Sequence, residues 1–187
     1  MTGYSRSDWA TLARELKRAI DDGRQIAPLV PRLPAFAVDA AYEVAHLLHQ
    51  ARLQEGARPV GRKIGFTNRS IWDEYDVYQP IWGWMYESIL TIATQMPVTV
   101  SLRGLCEPRI EPEIVLHFAH APRPGADAAQ ILSCVDWIAH GVEIVQSHFA
   151  GWKFTAPDTI ADNGLHGNYS SDRRAGCSSL SRILLTV

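Results

Sequence analysis

Cysteine is scarce in these 187 residues, and Cys106, Cys134 and Cys177 are odd in number and scattered. They make neither a disulfide framework nor a close-spaced thiolate cluster, so a reducing cytoplasm is the expected location. Charge of one sign is lacking too. With 18 Lys and Arg against 20 Asp and Glu, the net charge of -2 gives no electrostatic reason to expect nucleic acid. No apolar run approaches the length of a membrane span, and the first residues lack the basic-then-apolar order of a secretory leader. The glycines fit neither phosphate-loop nor dinucleotide spacing. What remains, 47% hydrophobic and 20% charged, describes an ordinary globular protein with enough chain for a real core.

The most informative stretch, 107–117, reads Glu-Pro-Arg-Ile-Glu-Pro-Glu-Ile-Val-Leu-His. Pro112 biases Glu111 towards extended angles, and two-residue spacing in a strand aims Glu111 and Glu113 at one side. Like charges at close range disfavour each other's ionisation unless a cation holds them. Oxygen-only ligation suits Mg²⁺, Mn²⁺ or Ca²⁺ better than Zn²⁺. A surface strand with its acids facing water is the simpler alternative.

Along the chain, Trp9, Leu12, Ala13, Leu16, Ala19 and Ile20 repeat at helical spacing after a Ser7 cap, and Gly23 is a stop. A proline-rich connection follows. Phe36, Ala40, Val44, Leu47, Leu48 and Ala51 then mark a second helix ending near Gly56. The segment 60–68 reads as a short strand in which Gly61 and Gly65 flank Lys63. A lysine there either snorkels to solvent or, in a buried site, holds a carboxylate or moves a proton. Residues 80–83 are expected to turn, and the nearby tryptophans to line a pocket, pack a core or meet another subunit. Residues 88–92 and 98–100 read as strands. Asp127 caps a predicted helix with Ala128, Ile131, Leu132, Val135, Ile138 and Ala139 on its inner face, stopped by Gly141. Residues 142–145 form a short buried strand whose Glu143 calls for a cation or a buried donor.

Gly-Arg-Lys-Ile-Gly-Phe-Thr at 61–67, Ile-Glu-Pro-Glu-Ile at 110–114, Val-Glu-Ile-Val at 142–145, Trp-Lys-Phe at 152–154 and Asp-Thr-Ile-Ala-Asp-Asn-Gly-Leu-His-Gly at 158–167 stand in an order and spacing that resemble the 2-keto-4-pentenoate hydratase group of the fumarylacetoacetate hydrolase superfamily. The resemblance covers residues 7–167. It implies an α+β chain: an N-terminal helical region over 1–58, then a mixed, β-rich catalytic region over 59–187 that is incomplete at the C-terminus. It also implies Mg²⁺ or Mn²⁺ on Glu111, Glu113 and Glu143, with catalytic roles for Lys63 and Lys153. Arg62, Gly65, Thr67 and Asn163 are the corresponding substrate-binding positions.

The implied reaction is addition of water to a 2-oxo-4-enoic acid through a metal-stabilised enolate, in a cytoplasmic homo-oligomer of aromatic catabolism that engages neither nucleic acid nor membrane. Decarboxylation or C–C hydrolysis of a related 2-oxo acid, or an inactive shortened chain, are the alternatives. Two departures bear on this. Pro80-Ile81-Trp82-Gly83 stands where the family carries an acid in Pro-Asp-Phe-Gly, and Asn163 is followed by Gly164-Leu165 rather than Ala-Ser. After Gly167 the chain becomes rich in Ser and Arg and leaves the family pattern, as expected of a truncated or frame-shifted member; the alternative is a natural shortened form whose tail makes one final strand from Ile183.

Overall fold

The computed structural model describes residues 5–93, 97 and 99–172. Cys177 and the expected strand at Ile183 lie outside the described residues. So does Val98, and Thr99 and Val100 are irregular rather than strand.

Two compact units emerge. The first takes in the described residues up to Ile89 together with Ser101–Arg109 and Val145–Gly167. Helix α1 (Arg6–Asp21) starts two residues earlier than its apolar repeat implies. Ser5, not Ser7, closes the first turn, its backbone N–H donating to Asp8 Oδ2 at 2.7 Å. Helix α2 (Val38–Gln54) packs against α1 and against α5 (Ala156–Ala161). Leu12, Leu16, Leu29, Val44, Leu48, Val77, Ile81, Phe149 and Ile160 form the core there. Each buried side chain of this kind contributes about 2 kcal/mol over leaving it in water.

Asp158, fully buried, ties the proline-rich connection to α5. Its carboxylate accepts from Leu29 N at 2.6 Å, Val30 N at 3.2 Å, Thr155 N at 2.9 Å and Thr155 Oγ1 at 2.9 Å. The antiparallel ribbon of β1 (Pro59–Gly65) and β2 (Ile81–Tyr86) completes this unit. A short helix α3 (Trp72–Tyr75) lies between the two strands. The turn expected at 80–83 is therefore mostly strand, with Gly83 paired opposite Lys63.

The second unit comprises the described parts of Leu90–Val100 and of the chain from Asn168 onward, with Ile110–Ile144. It carries a four-stranded sheet in the order β3-β6-β5-β4, with β3 (Leu90–Ala93) parallel to β6 (His166–Asp172). Among the described strands β4 (Arg109–Phe118) is at an edge, the place in a sheet where a proline such as Pro112 is best tolerated.

The helix expected over 128–139 is a correction. Helix α4 covers only Ala128–Leu132, and β5 runs for eleven residues over Val135–Val145. Asp127 does cap α4, accepting from Gln130 N at 2.8 Å. But Val135, Trp137 and Ile138 are β-branched or aromatic, and tertiary pairing overrides a helical spacing built from small and branched apolar residues that suit a strand as well.

Ile110, Ile114, Leu116 and Phe118 alternate along one side of β4, and all four are exposed among the described residues. Such a face favours association. Sedimentation at rising protein concentration should show self-association that weakens in an Ile114→Thr, Leu116→Thr variant; a concentration-independent monomer would remove this expectation. Within the first unit, Asp158→Ala should cost about 3 kcal/mol, because it strands buried N–H donors at Leu29 and Thr155. Urea unfolding midpoints measure it, and a shift worth under about 0.5 kcal/mol would deny Asp158 its tethering role.

Candidate functional site

Alternation along β4 puts Glu111 and Glu113 on one side, opposite the apolar row, as the two-residue spacing predicts. Neighbouring β5 adds Glu143, only 1% exposed. One carboxylate oxygen from each of the three lies within 4.8 Å of the others. Three carboxylates at that range repel one another, and a cation is the counter-charge that holds them ionised. The donor set is oxygen only, which fits a hard divalent ion rather than zinc or copper. These residues are therefore suited to hold such an ion, with the exposed Glu111 side open to further oxygen ligands.

Tyr169 of β6 belongs to the same unit and was not singled out by sequence. It is buried, and a Cβ built on Gly141 of β5 would sit 1.8 Å from the Tyr169 hydroxyl. Burial first, then the charges of Glu113 and Glu143, push its phenol above the ordinary value. Gly141 is thus no helix stop. It is a strand glycine that leaves room for another side chain, a signal that a glycine inside a β pattern carries in principle.

The first unit holds Lys63, 8% exposed, its Nζ donating to the Gly164 carbonyl at 2.9 Å. Around that carbonyl the backbone is left-handed for three residues in succession: Asn163 (φ 53°), Gly164 (φ 70°) and Leu165 (φ 63°). Left-handed angles cost roughly 1 kcal/mol or more for each non-glycine residue, so the turn must be held from outside. The Asn163 side chain holds it by bridging the Trp84 backbone, accepting from N at 2.7 Å and donating to O at 2.9 Å. Gly83 permits the contact, since a Cβ there would meet the Asn163 carbonyl oxygen at 2.4 Å.

Before the turn, Asp162 is fully buried against His148, whose Nδ1 lies 2.9 Å from both carboxylate oxygens. Burial raises the Asp162 carboxyl above its usual range, with His148 opposing. Gln146 N closes the network on the Leu165 carbonyl at 2.9 Å. His148 carried no distinguishing sequence signal, and the motifs that contain Asp162 and Gly83 do not show what these residues meet, because their partners lie in other elements.

The other expected site residues are dispersed within this unit. Arg62 lies on the face of the ribbon opposite Lys63. It is exposed, its guanidinium 5.3 and 5.1 Å from the Trp82 and Trp84 ring centres. These tryptophans pack on α2, where Tyr42 stacks on Trp82 and His49 on Trp84. A Cβ built on Gly65 would make only ordinary contacts, with Ile81 and Lys63, and Thr67 and Lys153 are exposed.

No family model matches the chain. It is 34% identical over 160 residues to the 2-hydroxyhexa-2,4-dienoate hydratase of Comamonas testosteroni, covering 84% of this chain and 60% of that one. It is 33% identical over 168 residues to 2-keto-4-pentenoate hydratase 1 of Dechloromonas aromatica, covering 89% and 63%. The chain thus spans about three fifths of the length of these curated relatives. In fold it matches the 4-oxalocrotonate decarboxylase of Pseudomonas putida G7 complexed with magnesium and adipate. The TM-score is 0.83 at 22% identity, over 93% of this chain and 65% of that one. The same decarboxylase complexed with calcium and acetate matches with a TM-score of 0.82.

Glu113→Ala should weaken Mn²⁺ binding at least about tenfold, the scale of loss when a site's support is removed. Calorimetric titration alongside circular dichroism checks it. Equal affinity in a folded variant would take the carboxylate cluster out of metal chemistry.

Proposed function

The chain belongs to the 2-keto-4-pentenoate hydratase group of the fumarylacetoacetate hydrolase superfamily, and on that premise we propose that it catalyses metal-dependent addition of water to a 2-oxo-4-enoic acid. The observation that carries this reading is the meeting of Glu111, Glu113 and Glu143 within 4.8 Å, in a chain one third identical to hydratases of such acids. A divalent ion, Mg²⁺ or Mn²⁺, would supply Lewis acidity towards a substrate's 2-oxo and carboxylate oxygens.

The roles of the chain's own residues follow from their chemistry. Glu111, Glu113 and Glu143 bind the ion and fix its place on the sheet. Lys63, its ammonium oriented by the Gly164 carbonyl, pairs with a substrate carboxylate or moves a proton. Asn163 supports that carbonyl through its clamp on Trp84. The exposed Lys153 and Thr67 are available to a substrate without rearrangement of the core, whereas a substrate role for Arg62 would use the opposite face of the ribbon. In net terms water adds its oxygen to C4 and a proton to C5 of the 2-oxo-4-enoic acid: the enol takes a proton at C5 to bring the double bond into conjugation as C3=C4, and water then gives its oxygen to C4 and a proton to C3, so no redox partner is needed.

A second reading has one specific support, 31% identity over 152 residues to a 4-oxalocrotonate decarboxylase of Pseudomonas sp.. Decarboxylation draws on the same polarised 2-oxo group but releases carbon dioxide in place of taking up water.

Product analysis decides between them. With Mg²⁺ or Mn²⁺ and 2-hydroxypenta-2,4-dienoate, proton NMR should show the 4-hydroxy-2-oxo acid. Lys63→Met, which keeps the apolar stem, should lower kcat by about 100-fold or more while leaving Mn²⁺ affinity unchanged. Carbon dioxide released from 4-oxalocrotonate without any hydration would transfer the assignment to the decarboxylase. A Lys63→Met rate within twofold of wild type would remove Lys63 from the mechanism.

A further inference from the structure

Tyr169 does more than fill the sheet. On β5, Gly141 stands two residues before Glu143, so both positions face the same side of the sheet, roughly 7 Å apart along the strand. The Tyr169 hydroxyl occupies the space that a side chain at 141 would take: a Cβ there would lie 1.8 Å from the hydroxyl oxygen and 2.5 Å from Cζ. The hydroxyl end of the ring, rather than its edge, thus passes over the one residue on that face of the strand that has no side chain, next to Glu143. A phenylalanine would pack the same ring, and a buried tyrosine hydroxyl normally has a polar task. Phenols keep their proton at neutral pH, so this group is a donor placed beside acceptors.

We propose that the Tyr169 hydroxyl is a working part of the carboxylate site, donating a hydrogen bond to the oxygen ligand, water or the oxygen of a 2-oxo acid, that sits beside Glu113 and Glu143, with Gly141 as the gap through which it reaches. The proposal rests on the metal reading of Glu111, Glu113 and Glu143. Removing a hydrogen bond to a charged oxygen typically weakens binding by about tenfold or more. Gly141 is then a specificity determinant at one remove, because any side chain at 141 would displace the donor.

The test uses the full chain and Mn²⁺, with pyruvate as a simple 2-oxo acid probe and no turnover. In the wild type, Mn²⁺ titration should produce a saturable tyrosine ultraviolet difference spectrum. Tyr169→Phe should abolish most of that signal, bind Mn²⁺ within about threefold of wild type, and bind pyruvate in the Mn²⁺-loaded state about tenfold more weakly. Gly141→Ala, which keeps every oxygen in the site but drives the hydroxyl away, should give the same loss of pyruvate affinity. The absence of a difference signal in wild type at saturating Mn²⁺ overturns the proposal whatever the variants do. A folded Tyr169→Phe or Gly141→Ala protein with wild-type pyruvate affinity overturns it as well, leaving the metal assignment intact. If the wild type binds no Mn²⁺, the metal reading itself fails, and the proposal falls with it.

Discussion

A buried carboxylate is costly unless donors or a cation surround it, and three are buried among the described residues: Asp158, Asp162 and Glu143. Each is accommodated differently, and the difference separates scaffold from site. Asp158 gathers backbone and hydroxyl donors and fastens the connection before α2 to the start of α5. Asp162 faces His148 and leads into the left-handed turn that presents the Gly164 carbonyl to Lys63. Glu143 lies with Glu111 and Glu113, one carboxylate oxygen of each within 4.8 Å of the others, an arrangement suited to hold a cation.

Two glycines show how close packing makes room for chemistry. Gly83 lets the 162–165 turn lie against β2, where an alanine would push into the Asn163 carbonyl. Gly141 lets the Tyr169 phenol cross β5. Neither position has a positive φ, so conformational freedom is not the reason for either glycine. Space is. A methyl group at either position would meet an atom well inside contact distance, and the neighbour on each side is a group that positions or supplies a polar function.

The carboxylate pair and the lysine were legible because they are local. Pro112 and the two-residue period place Glu111 and Glu113 on one side whatever sheet they join, and Glu143 in an apolar run announces a buried charge that needs company. The helices of the first unit were legible for a similar reason, with apolar residues recurring at helical spacing in Leu12, Leu16, Val44 and Leu48. Residues 128–139 were not. There the spacing of small and branched apolar residues suits either period, and pairing of β5 within its sheet chose the strand.

What the sequence by itself determined is the inventory and its local direction: two amphipathic helices, an acidic pair on one side of a strand, a lysine between glycines. Tertiary structure alone decided which residues meet. It set Lys63 on the Gly164 carbonyl 101 positions away, put Arg62 against Trp82 and Trp84 of the paired strand, and laid Tyr169 over Gly141. The physical reason is that backbone period fixes which way a side chain points within its own element. Contact across elements depends instead on strand order and on where a missing Cβ lets another group through, and neither is written in any local spacing.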